Sequence, residues 1–259
     1  MIYIKIALSL FRASLIKSIR YRVDFLMSFF EGAAFLVVNY LFFKTSLSVV
    51  HAGSLIQEAM ILVMYYQVFI GFFYGFFIDN ITGLKFYINR GDLDWMIMKP
   101  IDVQFFISIR FISLGHIISG LVAVPILLLS LIEMGILITF TGFCVSFLYF
   151  IIAIIDGYSL LTIMTSIAIV LTSSGNIANI ACPIIELGKY PRRVFPNTFV
   201  FTSMLFLPVI IINNFGINAL IGEWNASSLF INTSIMLVLL ITTRKLFSYA
   251  SAKYKSSGS

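Results

Sequence analysis

The chain has 259 residues, of which 60% are hydrophobic and 11% charged, with a mean hydropathy of +1.04 and a formal net charge of +6. Water-soluble domains carry about 25% charged residues, so this composition excludes a soluble protein and places the chain in a bilayer. In such a chain the basic excess marks the cytoplasmic side rather than a nucleic-acid partner.

Residues 1–22 carry Lys5, Arg12, Lys17, Arg20 and Arg22 spread along their length, without the short apolar core and small-residue site of a cleavable signal. Ile4, Leu8, Phe11 and Leu15 recur at helical spacing, which predicts an amphipathic helix lying in the membrane interface. Apolar runs at about 23–43 and 59–78 follow, the second interrupted by Gln67 and containing Gly71-x-x-x-Gly75, a spacing that lets helices approach closely. A third run, about 105–132, contains Arg110, His116 and Pro125 and ends at a turn marked by Glu133 and Gly135. Runs at 136–155 and 158–181 are separated by Asp156-Gly157, a turn signal that predicts a hairpin. The last run, about 226–243, stops against Arg244 and Lys245.

Between the fifth and last runs lies a different segment, 183–217, holding Pro183, Pro191, Pro196 and Pro208, four of the six prolines. Pro208 cuts its apolar part into pieces too short to cross about 30 Å at about 1.5 Å per residue. Irregular backbone at membrane depth needs protein or a water-filled cavity to satisfy it, so a re-entrant helical hairpin is predicted. The expected fold is an all-α polytopic membrane protein: an N-terminal interfacial helix over 1–22, then a single transmembrane domain over 23–259 with six transmembrane helices and the hairpin before the last. With both termini cytoplasmic, twelve bases lie inside against four outside, namely Lys44, Lys189, Arg192 and Arg193. Counting the proline-rich segment as a seventh span gives eight against eight, and the positive-inside rule favours six.

The stretch INRGDLDWMIMKPID, residues 88–102, concentrates charge of both signs in an apolar chain. Asp92 and Asp94 are two apart and point in different directions on a helix, and no His or Cys lies near them, which argues against catalysis. Two readings remain. One is a solvated turn; the other is a short docking helix with Gly91 to start it, Leu93, Met96 and Ile97 at helical spacing, Trp95 as anchor and Pro100 to stop it. Trp and Arg are favoured interface anchors, and mixed charges set orientation. Within the apolar runs, Glu31, Arg110 and His116 are ionisable and are expected to face a partner or a cavity. Arg110 either reaches back to the headgroups or pairs with Glu31. Cys144 and Cys182 lack metal-ligand spacing, so neither a zinc site nor any other metal site is expected.

The run RGDLDWMIMKPIDVQF resembles the G-x-L-D-x-x-L-x-x-P motif of ABC-2-type transporter permeases. The run KYPRRVFPNTFVFTSMLFLPV, with Tyr190, Pro191, Phe195, Pro196 and Pro208, is similar to the "yP…fP…P" segment of their small six-span branch, which works with a separate ATPase subunit. The entry SLIKSIRYRVDFLMSFFEG fits the same branch, and the chain departs from it at Met98 and in the basic PRR. The resemblance implies an export permease in the cell (inner, cytoplasmic) membrane. Two such subunits, identical or related, would form the pathway, each docking an ABC ATPase on the loop 79–104 between spans two and three. The coupling residues it implies are Arg90, Gly91, Asp92, Leu93, Asp94, Trp95, Lys99 and Pro100. No G-x-x-x-x-G-K-[ST] loop occurs in the chain. ATP and Mg are therefore expected on the partner, with no cofactor or catalysis in this chain. The alternatives are an ion-coupled carrier, which would show a repeat of broken helices, and an intramembrane enzyme, which would need clustered His, Asp or Glu.

Overall fold

The computed structural model describes residues 2–49, 53–84, 95–96, 98–171 and 177–253. Among these, every regular element is helical. In chain order they are α1 (Ile2–Arg20), α2 (Arg22–Val49), α3 (Gly53–Phe73), α4 (Val103–Ser108), α5 (Leu114–Glu133), α6 (Phe140–Val170), α7 (Ile177–Glu186), α8 (Asn197–Phe206), α9 (Ile212–Leu220) and α10 (Ala226–Lys253). A π-helical turn, Tyr74–Ile78, and a last turn, Asp79–Thr82, prolong α3. Among the described residues five helices are long and apolar enough to cross a membrane: α2, α3 with its extension, α5, α6 and α10. The protein is an all-α multi-pass membrane protein.

Two expected boundaries are wrong. Asp156 and Gly157 make no turn: they lie buried in the middle of α6, which runs unbroken for 31 residues. The runs 136–155 and 158–181 are therefore not a hairpin of two spans. Away from water an open backbone has no substitute partner for its N–H and C=O groups, so the helix keeps its own bonds through a dipeptide that turns readily in solution. Gly157 serves packing instead, since a Cβ there would stand 2.9 Å from the Phe73 ring.

The run 105–132 is not one helix either. The chain leaves α4 after Ser108 and re-enters helix only at Leu114. Asn80 holds this break open: its Nδ2 donates to the carbonyls of Ser108 (3.1 Å) and Phe111 (2.7 Å), and its Oδ1 accepts from the Phe111 N–H (2.8 Å). The Ser113 N–H donates to the Gly75 carbonyl in the π-helical turn at 2.8 Å. Arg110 thus belongs to a connector and not to a crossing helix.

The core centres on α3 and α6, whose Tyr66, Phe69, Phe73, Tyr149 and Leu161 are buried together with Ile212 of α9. α3 meets α5 through glycines. A Cβ on Gly71 would lie 2.6 Å from Gly120 Cα and 2.7 Å from its N, so the two backbones are in contact. Between α6 and α10, Tyr149 Oη lies 3.0 Å from Ser228 Oγ, and Thr243 Oγ1 donates to the Ser159 carbonyl at 3.5 Å further along. The two helices therefore run parallel, and the chain between them has to return across the bundle. It does so in pieces: α7, the 3-10 turns Leu187–Lys189 and Arg192–Val194, then α8, the turn Pro208–Ile210 and α9.

The ends of the bundle are distinct. At one end the Tyr3 ring meets Phe105 at 4.9 Å, the Ile112 N–H donates to Ser14 Oγ at 3.1 Å, and Arg244 pairs with Asp102. This basic end gathers α1, the segment 98–113 and the C-terminal part of α10. At the other end Arg193 pairs with Glu58 at 3.3 Å.

Candidate functional site

The charged stretch singled out in the sequence lies at the basic end. Arg90, Gly91, Asp92, Leu93 and Asp94 fall outside the described residues. Trp95 and Met96 form a helical turn. Met96 is buried with Leu84, Phe106, Ile107 and Phe247, and the Trp95 ring meets Phe106 edge-on at 6.2 Å. Two cations cover the indole: Lys99 Nζ at 4.0 Å and the Arg110 guanidinium at 5.5 Å. Such cation–π contacts add to ring burial. Trp95 therefore packs against its own bundle rather than standing free as an anchor. The side chain that stands out is Met98, 77% exposed, next to the exposed Pro100.

Immediately after this turn the chain is clamped to two crossing helices. Asp102 caps α4, its Oδ1 accepting from the Phe105 N–H at 2.9 Å. The same carboxylate takes both arms of Arg244 on α10, Nη1 donating to Oδ1 at 2.9 Å and Nη2 to Oδ2. Arg244 Nη1 also donates to Gln104 Oε1 at 3.0 Å, and Gln104 Nε2 donates to Tyr158 Oη on α6 at 2.8 Å. Ser108 Oγ, 2.9 Å from the same phenol, completes the set. Bidentate pairing of this kind fixes geometry as well as charge. The Arg244 guanidinium holds the Asp102 carboxyl below the usual carboxylate range. Sequence reading missed this clamp. Asp102 directly before a helix is a capping signal, but nothing in the sequence links it to Arg244, 142 residues away.

Of the two readings of Arg110, the pairing with Glu31 does not occur. Glu31 Oε2 lies 3.6 Å from His116 Nε2, not beside Arg110. His116 Nδ1 is 2.9 Å from Ser113 Oγ, and the imidazole meets the Tyr74 ring at 5.7 Å. Arg110 sits in the connector over the Trp95 and Phe111 rings.

In the proline-rich segment, Tyr190 meets Phe195 edge-on at 6.4 Å and Phe195 stacks on Phe199 at 4.8 Å, with Pro191 and Pro196 between them. Pro208 is buried and opens the 3-10 turn joining α8 to α9. Asn214, also not singled out in the sequence, ties the two ends of the segment. Its Oδ1 accepts from the Arg192 N–H at 2.8 Å and its Nδ2 donates to the Tyr190 carbonyl at 3.3 Å. Among the described residues no group of three or more His, Cys, Asp or Glu could hold a metal ion.

A family model described as ABC-2 family transporter protein matches residues 29–258. No curated protein and no solved structure gives a significant match. The family match takes in every membrane-crossing helix from within α2 onward, together with the clamp and the proline-rich return. The chain therefore belongs to the ABC-2 family, as a membrane component of an ABC transporter.

Proposed function

We propose that this chain is the permease subunit of an ATP-driven exporter, driven by a separate ABC ATPase that docks at the basic end on the loop 79–104. The family implies association with an ABC ATPase, and the chain carries no phosphate loop of its own. The partner then binds ATP and Mg, and this chain is not an enzyme. The positive-inside rule puts the basic end in the cytoplasm. In this reading α1 lies in the interface, with Ile4 and Leu8 exposed towards lipid, and α8 and α9 form a hairpin entering from the outer face. A second permease, identical or related, completes the pathway.

The observation that carries the reading is the Asp102–Arg244–Gln104–Tyr158 clamp. A push on residues 95–100 reaches α6 and α10 through directional, charge-assisted bonds instead of being absorbed by a slack loop. Two substitutions separate docking from transmission. Met98→Asp on the exposed tip should cut co-purification with the ATPase about tenfold or more while thermal stability holds. Arg244→Gln should leave co-purification intact yet lose most ATP-dependent transport. Full transport by both variants, or transport by the permease alone on an ion gradient, would sink the proposal.

A further inference from the structure

α2 crosses the membrane with little of its surface covered: 11% of its apolar stretch is buried. On that open surface stands Glu31, its side chain 70% exposed, with His116 Nε2 at 3.6 Å from its Oε2. Ionisable groups inside a bilayer persist where they face a cavity or a counter-charge. Glu31 does face a cavity, an open groove of about 500 Å³ that follows α2 past Phe35, Val38 and Phe42 to Lys189 and Tyr190. Its volume and mostly apolar wall give room for a small molecule laid along α2.

The groove holds two charges, and they are not equivalent. Lys189 is 14% exposed, lies 3.5 Å from Glu186 and sits over the Phe35 ring at 5.1 Å. Its charge is answered from within the protein. Glu31 lines the same groove with its side chain 70% exposed, so its carboxylate is open to a ligand there. The residual charge of the groove is therefore negative, at one end of an aromatic and aliphatic wall.

We infer that this groove binds an amphipathic cation, its positive head at Glu31 and its apolar body along Phe35, Val38 and Phe42. The inference rests on the permease reading and names a cargo class for it. Charge complementarity selects the head. The wall selects a body with an extended apolar surface, since hydrophobic contact is non-directional and scales with area.

The test uses the full chain in phosphatidylcholine nanodiscs, without ATPase, and two probes of the same shape and opposite charge, tetraphenylphosphonium and tetraphenylborate. The wild type should bind the phosphonium saturably and about tenfold or more tightly than the borate. Glu31→Gln should remove that preference, and Glu31→Lys should reverse it, which a merely structural role for the residue would not do. Val38→Trp, filling the groove, should weaken both ions. Equal binding of the two ions by the wild type overturns the inference, as does a phosphonium preference that survives Glu31→Lys. So does a Glu31→Gln variant that changes oligomeric state but keeps the preference, because a second copy then covers Glu31. Loss of this binding leaves ATPase docking untouched, so failure here and failure of the permease reading are read from different assays.

Discussion

α3 and α10 are both long and apolar enough to cross a membrane, yet 67% of the apolar stretch of one is buried against 11% of the other. The same contrast separates α6, at 56%, from α2, at 11%. Hydrophobicity cannot make this distinction, because lipid tails are as apolar as a protein core and association rests on packing and hydrogen bonds. The central helices carry the means for both. α3 brings Gly71 against Gly120, and Tyr65 Oη donates to the Ser146 carbonyl of α6 at 3.0 Å. The peripheral α10 packs one face on the bundle, burying Thr243, Phe247 and Ala250, and adds polar ties at Ser228, Thr243 and Arg244. Centrality comes from small residues and buried polar pairs.

The hardest test of that contrast puts the same side chain into a central and a peripheral helix. Gly71→Leu forces a side chain into the Gly120 backbone, which cannot retreat without moving α5, and should cost about 3 kcal/mol or prevent folding. Val37→Leu, on the exposed face of α2, should stay within about 0.5 kcal/mol. Thermal unfolding in detergent measures both. Comparable small losses would show that the α3–α5 contact is not what makes α3 central.

A finer test compares two tyrosine hydroxyls. Tyr65→Phe removes a bond between the two central helices and leaves the buried Ser146 hydroxyl without the phenol it donates to, at a cost of about 1 kcal/mol. Tyr149→Phe removes the bond to Ser228 on peripheral α10 and should cost about half as much, since Ser228 is only half-buried and water or headgroups can replace its partner. The reverse order would mean that α10 is held more firmly than its burial indicates.

The smallest effect comes from pH at the basic end, where Asp102 joins α4 to α10. Arg244 lowers the Asp102 pKa in the folded protein. The resulting stability is fully present above the unfolded carboxylate pKa of about 3.9 and is lost as pH falls through the lower folded value. The pair is partly exposed, so its size is about 0.2–1 kcal/mol and decreases with salt. The melting temperatures of the wild type and Asp102→Asn should differ by a constant amount from pH 7 to about 4 and converge below it. A gap that widens on acidification would contradict the sign.

What the sequence made legible were local signals, not the Asp102–Arg244 clamp. Pro100 and Pro208 are local signals whose covalent geometry acts wherever they sit. Gly71-x-x-x-Gly75 marked a helix that approaches another closely, and Gly71 is where α3 touches α5. Asp156-Gly157 misled, because its meaning as a turn assumes water to receive the freed backbone groups, and in α6 the dipeptide has none. The break at 109–113 was invisible for the opposite reason. No local residue causes it, and the amide that satisfies it, Asn80, comes from another helix.

Composition, apolar run lengths and the distribution of bases were sufficient by themselves to determine that this is a helical multi-pass membrane protein. The solvent imposes those constraints one segment at a time: each run must be apolar and must bond its own backbone. Tertiary structure alone decided that two apparent spans are one helix, that Trp95 packs inward while Met98 faces out, that Glu31 meets His116, and that Asp102 closes on Arg244. Each of these depends on a partner far away in the sequence, and pairings of that kind are set by how packed helices bring side chains within reach of one another.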